Sequence, residues 1–417
     1  CPRDYGSRVK IGSGFQTAQK PEKEHLGTGS MTMTDFSSPF RLRNPNMTLK
    51  ERFLHLSWCY IFLIFLVAFS GFVVLYAAAN GNWEPWASRQ FSRFWLGCAV
   101  MFVVAMIDLR FWLKYAYVFY VGAVILLFIV EYFGHDAMGA QRWLNLGFIR
   151  IQPSELMKIA LILALSRYFH GSSLQEMMSM SAIVIPSFMV LIPVGLVLKQ
   201  PDLGTAGFMG AGSLSLFFLV GIQMWKFVAL GIAGLISIPI GWRFLHDYQK
   251  ERVFTFLDPE RDPLGKGYHI LQSKITLGSG GIFGKGFLQG TQSRLNFLPE
   301  KHTDFIFTVL AEEFGLVGSV SLLLLYLALI FYGYVIAFRS ASFFGRLLAL
   351  GLTTNLFLYV FINIAMVMGL LPVVGVPLPM ISYGGTVMLT LMFSFGLIEC
   401  VNVNRDVQIG RRGAYDD

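Results

Sequence analysis

Charge is what this chain has least of. Its 33 Lys+Arg and 25 Asp+Glu make up 14% of 417 residues, against about 25% in a typical soluble domain. With 55% apolar residues and a mean hydropathy of +0.58, the chain cannot cover itself with polar surface, which excludes a water-soluble enzyme. Cysteine is scarce too. Cys1, Cys59, Cys98 and Cys400 show no paired spacing, so a disulfide framework is excluded and they read as small core residues. No His/Cys cluster has metal-site spacing, and no G-x-x-x-x-G-K-[ST] stretch occurs, so a zinc module and a nucleotide-binding P-loop are both absent. The period-2 alternation of a membrane barrel is also missing. The net charge of +8 fits basic residues gathered at cytoplasmic helix ends rather than nucleic-acid binding.

What is present is apolar runs. Ten of them cover about 54–79, 94–108, 111–133, 154–170, 181–198, 203–222, 225–245, 307–338, 346–371 and 381–401. At roughly 20 residues per span they predict an all-α polytopic membrane protein of about ten transmembrane helices. Lipid offers exposed backbone amides no partner except an internal helical ladder. The domain reading is a disordered tail at 1–50, a transmembrane domain at 51–405 containing one long polar loop at 246–303, and a short tail at 406–417. Residues 1–30 are rich in Gly, Ser, Lys and Gln and lack the apolar core of a signal peptide, and part of this tail reads as an addition to the natural chain. Thirteen Lys/Arg, from Arg41 to Arg412, fall on one side of the short connections. Five, Arg89, Arg93, Arg142, Arg150 and Lys199, fall on the other. That asymmetry places both termini in the cytoplasm and the long loop outside. Pro186, Pro193, Pro239 and the run Gly375-Val376-Pro377-Leu378-Pro379 interrupt the spans. Such breaks survive at membrane depth where they line protein or a wet cavity, or they simply kink a helix for packing.

Ionisable residues inside spans are the functional candidates, since a charge at the bilayer centre costs at least about 2.5–3.5 kcal/mol. Glu155 and Lys158 lie i,i+3 at the start of the fourth span, on one helix face. Asp202 sits between the fifth and sixth spans, Asp304 closes the long loop, and Glu312 and Glu313 follow inside the eighth span. Glu155, Lys158, Asp202 and Asp304 all fall on the outer side, which suggests a reaction centre open there. The bland alternatives are a helix-locking ion pair for Glu155 and Lys158 and a helix cap for Asp304. The long loop holds eight glycines between Gly265 and Gly290, with Lys266, Lys274, Lys285 and Arg294 among or beside them. Backbone nests of this kind cradle phosphates, and flexible connections have the same composition. His302 reads as a base or, more commonly, as a hydrogen-bonding partner. A divalent cation such as Mg2+ or Mn2+ is compatible with the carboxylates, though nothing in the sequence demands one.

Several segments then occur together and in order: Trp143-Leu-Asn-Leu-Gly147, Gln152-Pro-Ser-Glu-Leu-Met-Lys158, Gln200-Pro-Asp-Leu-Gly-Thr205, Asp262-Pro-Leu-Gly-Lys-Gly-Tyr268, Gly278-Ser-Gly-Gly281, Gly290-Thr-Gln292, Phe297-Leu-Pro-Glu-Lys-His-Thr-Asp-Phe305 and Pro379-Met-Ile-Ser-Tyr-Gly-Gly385. Over about residues 50–405 the chain resembles the SEDS (shape, elongation, division, sporulation) proteins, and within them the RodA branch. The resemblance implies a ten-helix glycosyltransferase of the bacterial inner membrane. Such an enzyme polymerises the lipid-linked disaccharide lipid II into β-1,4 glycan strands during cell elongation, releases polyprenyl diphosphate, and works with a class B penicillin-binding protein. It puts the family's essential aspartate on Asp304, its Glu and Lys on Glu155 and Lys158, and the Asp of Gln-Pro-Asp-Leu-Gly on Asp202. Asp304, Lys158 and Glu155 are then expected to be catalytic. Asp202, Asp262, Lys274, Lys285, Arg294 and His302 are expected to bind substrate. Lys158 is either positive charge for the leaving diphosphate or the salt-bridge partner that positions Asp304.

A flippase for lipid-linked precursor is the alternative from another class, because interrupted helices and buried charges also suit transport. A transporter should show repeats between its halves and gates on both faces. No repeat is visible, and the candidate charges cluster on one side. A non-catalytic scaffold would leave Glu155, Lys158 and Asp304 without purpose.

Overall fold

The structure is a computed structural model. It describes residues 48–410 except 134, 138–139, 146–149, 173–180, 245–246, 262–265 and 296–299. Asp262 therefore lies outside the described residues, as do most of both tails. A short helix α1 (Leu49–Leu54) begins at Thr48, whose hydroxyl and the Glu51 carboxylate form a reciprocal capping box.

Among the described residues, ten helices of 18 residues or more follow, one for each apolar run. They are α2 (Trp58–Ala78), α3 (Trp86–Met106), α4 (Leu109–Phe133), α5 (Pro153–Gly171), α6 (Ser181–Lys199), α7 (Leu203–Val220) and α8 (Met224–Phe244), then α12 (Ile306–Arg339), α13 (Phe343–Val367) and α14 (Gly385–Val403). The polar loop is itself partly helical: α9 (Asp247–Leu257), α10 (Lys266–Ser279) and α11 (Thr291–Arg294). A small antiparallel sheet of β1 (His135–Ala137), β2 (Ala140–Asn145) and β3 (Arg150–Ile151) joins α4 to α5. The sequence reading had no place for it.

The core is formed where α14 packs on α3, α12 on α2 and α13, α4 on α5, and α13 on α5 and α7. The residues between α13 and α14 run without helix, yet Val376, Leu378, Met380 and Ile381 are buried among apolar neighbours. Non-helical backbone is tolerated there because protein, not lipid, surrounds it.

Prolines do not mark the main interruption. The helix ladder continues through Pro186, Pro193 and Pro239. The break falls at Gly315 in α12, which takes φ 65°, ψ −159°, a conformation L side chains rarely adopt. A broken helix leaves backbone groups without partners, and here the glycine-rich loop supplies them. The amides of Lys285 and Gly286 donate to the carbonyls of Glu312 (3.0 Å) and Glu313 (3.1 Å). Beyond the break, the amides of Leu316 and Val317 donate to Gly281 (3.0 Å) and Ile282 (3.1 Å). A methyl group at Gly284 would lie 2.1 Å from the Glu313 carbonyl oxygen, so only glycine lets the strands approach this closely. The amides of Lys285 and Gly286 are thus committed to the broken helix.

Candidate active site

Asp304 lies two residues before α12, on the side of the bundle that carries the long loop. It is not a helix cap. The N-cap of α12 is Phe305, with no side-chain cap, and among the described residues the Asp304 carboxylate forms no hydrogen bond or ion pair. The side chain is partly buried, and its Oδ2 lies 3.6 Å from where a methyl group on Gly375 would stand. Burial, reinforced by the nearby Glu300 carboxylate, pushes its pKa up to about 6. A carboxylate in this range can hold or release a proton near neutral pH, as a general base must.

The backbone around Asp304 is tied down carbonyl by carbonyl. The His302 carbonyl accepts from the Tyr383 amide (2.9 Å), that of Thr303 from Ser382 Oγ (2.6 Å), and that of Asp304 from Asn363 Nδ2 (2.9 Å). Asn363 also donates to the Val376 carbonyl at 2.7 Å.

Glu155 and Lys158 pair at 2.7 Å near the N-terminus of α5, each with 4% of its surface exposed. Tyr359 of α13 completes the group. Its hydroxyl accepts from Lys158 Nζ at 2.5 Å and donates to Glu155 Oε2. The ammonium also stands 4.5 Å and 4.4 Å from the ring centroids of Phe208 and Tyr359. Uncompensated, either charge would cost several kcal/mol to bury. Ion pair, hydroxyl and ring faces together satisfy both. Lys158 is therefore not the salt-bridge partner of Asp304, one of the two roles left open for it. Tyr359 carried no signal in the sequence, being one aromatic among 16 tyrosines.

The remaining candidates divide. Asp202 caps α7, accepting from the Thr205 amide at 3.1 Å and its hydroxyl at 2.9 Å. The capping role weighed for Asp304 is the one Asp202 fills. Gly204, two residues on, is packed against the carbonyl of Val374, so the start of α7 abuts the segment that passes Asp304. Lys285 is engaged by Glu312 and by Thr291 Oγ1, both at 2.8 Å. Glu312 also accepts from the amides of Gln292 (2.8 Å) and Ser293 (3.0 Å). Lys285, expected to bind substrate, ties the loop to α12 in this structure. Arg294 is exposed at the end of α11, and Lys274 lies against Gly369 beyond the end of α13. His302 stacks on Trp86 at 4.4 Å with 5° between planes, and burial lowers its pKa. Among the described residues no group of three or more His, Cys, Asp or Glu could hold a metal ion.

A bundle of long apolar helices with a raised-pKa carboxylate at one rim and a satisfied ion pair in its interior marks an integral-membrane protein with a candidate site at that rim. Comparison with known proteins narrows it. Residues 53–407 match the FtsW/RodA/SpoVE family model, described as cell cycle protein. The peptidoglycan glycosyltransferase MrdB of Escherichia coli K12 is 45% identical over 347 residues, 83% of this chain and 92% of that protein. Among solved structures, a chain from a peptidoglycan synthase complex, studied for how it coordinates polymerization and crosslinking, superposes with a TM-score of 0.74 at 32% identity, covering 84% of this chain and 98% of the other. Rod shape determining protein RodA of Thermus thermophilus gives 0.63 at 28% identity, covering 84% and 97%. The chain belongs to the FtsW/RodA/SpoVE, or SEDS, family, and is a multi-pass membrane peptidoglycan glycosyltransferase.

Proposed function

We propose that this enzyme polymerises lipid II into β-1,4-linked glycan strands by a single inverting displacement, with Asp304 as general base. The hydroxyl of the acceptor sugar attacks the anomeric carbon of the donor. Its proton passes to a carboxylate oxygen of Asp304, the bond from that carbon to the diphosphate breaks, and the electron pair leaves with the polyprenyl diphosphate. One displacement on an α-linked donor gives the β linkage. The supporting observation is the Asp304 carboxylate, without a hydrogen bond or ion pair among the described residues, raised into the range of a working base and held on clamped backbone.

In this reading Lys158, paired with Glu155, supplies the positive field toward which negative charge develops on the leaving diphosphate. Asp202 fixes the start of α7 beside the site, and Lys274, Arg294 and His302 contact the carbohydrate and diphosphate from the loop. The partner is a class B penicillin-binding protein, in line with the synthase complex among the structural relatives. The enzyme sits in the bacterial inner membrane with both termini in the cytoplasm and works during elongation.

The test is polymerisation of lipid II in detergent by the purified protein with its transpeptidase partner, read on a gel. Wild type yields polymer, and Asp304→Ala, at equal folded yield, yields none. Polymer from that variant would remove the base assignment. Transbilayer movement of precursor without polymer would turn the reading toward a flippase.

A further inference from the structure

Three consecutive carbonyls, those of His302, Thr303 and Asp304, are each held by a different donor, and the donors come from two elements distant in sequence. Asn363 lies on α13 with no exposed surface. Its amide group bridges the Asp304 carbonyl and the Val376 carbonyl, so one side chain sets the spacing between the two segments that meet at the carboxylate. Ser382 is 4% exposed. Its hydroxyl donates to Thr303 and accepts from the Leu378 amide at 2.8 Å, while its own carbonyl accepts from Gln90 Nε2 of α3 at 3.0 Å. Neither residue has a charge, and neither reaches the carboxylate itself. Their common target is the backbone that carries it.

We propose that Asn363 and Ser382 are positioning residues for glycosyl transfer, holding the Asp304 backbone so that its carboxylate meets the acceptor hydroxyl at reacting distance. The proposal rests on Asp304 being the base. A backbone in loop conformation has no helical ladder to fix it, so its side chain is only as well placed as the hydrogen bonds that replace the ladder. Reacting groups must sit within about 0.5 Å of the productive geometry, and a shift of about 1 Å costs on the order of 10²-fold in rate. The two donors also keep the carboxylate in its partly buried position. Loosening them lets water reach it, and its proton affinity then falls toward that of an ordinary aspartate.

The experiment compares Ser382→Ala, Ser382→Thr and Asn363→Leu with wild type. Lipid II polymerisation is followed with the transpeptidase partner present, at varied substrate concentration and from pH 4.5 to 8.5. Folded protein is quantified for each variant by thermal scanning in detergent. Positioning predicts that Ser382→Ala and Asn363→Leu lower kcat at least about tenfold with KM for lipid II within about twofold. The acid limb of their pH profiles moves to lower pH, and Ser382→Thr, which keeps the hydroxyl, restores most of the rate and the wild-type limb. The proposal is overturned if the rate loss only tracks loss of folded protein, or if kcat per folded molecule and the acid limb stay at wild-type values. Asp304→Asn runs beside them. Activity surviving in Asp304→Asn defeats the base assignment itself, whereas inactive Asp304→Asn with unaffected Ser382→Ala and Asn363→Leu defeats only the positioning role.

Discussion

Tyr359 and Asn363 stand four residues apart on α13, one turn of the same helix face, and each serves a different part of the polar interior. Tyr359 closes the Glu155–Lys158 ion pair, and Asn363 holds the backbone of Asp304. One rigid helix thus sets the spacing between the buried charges and the proposed base.

The pH dependence of glycosyl transfer follows from the raised proton affinity of Asp304. A base must be ionised, so activity climbs as pH rises through its pKa of about 6. The rate profile with lipid II should show an acid limb near pH 6. A limb near pH 4, the range of an ordinary aspartate, would contradict the assignment.

The same shift has a stability consequence of the opposite sense. The folded protein resists ionising Asp304, so the unfavourable contribution is absent below the unfolded value of about 4. It grows as pH rises toward about 6 and stays in full above it. Asp304→Asn should therefore raise the melting temperature at pH 7.5 and leave it unchanged at pH 4. A variant that melts lower than wild type at pH 7.5 would refute this.

Breaking the buried pair should be worse than removing it. Lys158→Met leaves Glu155 buried and short of its partner, a loss of about 3–5 kcal/mol. Adding Glu155→Gln to that variant should recover part of the loss. Thermal scans of both single variants and the double variant give the coupling directly, and simple additivity would argue against mutual compensation.

At Gly284 an added methyl group meets the Glu313 carbonyl at 2.1 Å, on backbone with φ +80°. Steric overlap and strain together should cost about 2–5 kcal/mol in Gly284→Ala. Amide exchange is expected to quicken at Leu316 and Val317, whose hydrogen bonds run to this loop. Protection equal to wild type at those two amides would show that the loop does not support the break.

Orientation is open to a labelling test in a background without the native cysteines. Gln289→Cys in the exposed loop should react with a membrane-impermeant thiol reagent applied outside the cell, and Asp406→Cys should not. The reverse pattern would invert the proposed topology.

Much of this architecture was legible from composition. Each of the ten apolar runs became a helix because burial of apolar side chains and the absence of water for the backbone act locally, and both leave a trace in the sequence. The Glu155–Lys158 pairing was readable for the same reason, since an i,i+3 spacing fixes a shared face. Tyr359, Asn363 and Ser382 were not readable. Their roles depend on contacts made across 201, 59 and 79 residues, and a tyrosine, asparagine or serine inside an apolar run carries no periodic signature. Of the proline-marked interruptions, the run Gly375–Pro379 is non-helical as read, Pro186, Pro193 and Pro239 stay within continuous helices, and the break at Gly315, one of 42 glycines, carried no signal.

The break at Gly315 also divides the labour of α12. Its first nine residues, 306–314, are stitched to the loop, and the remainder packs on α2 and α13 through Leu322, Tyr326, Leu329 and Ile336. A change in the loop should therefore be felt in the opening turns of α12 before it reaches the stretch locked against its neighbours, as a hinge takes up play before the door moves.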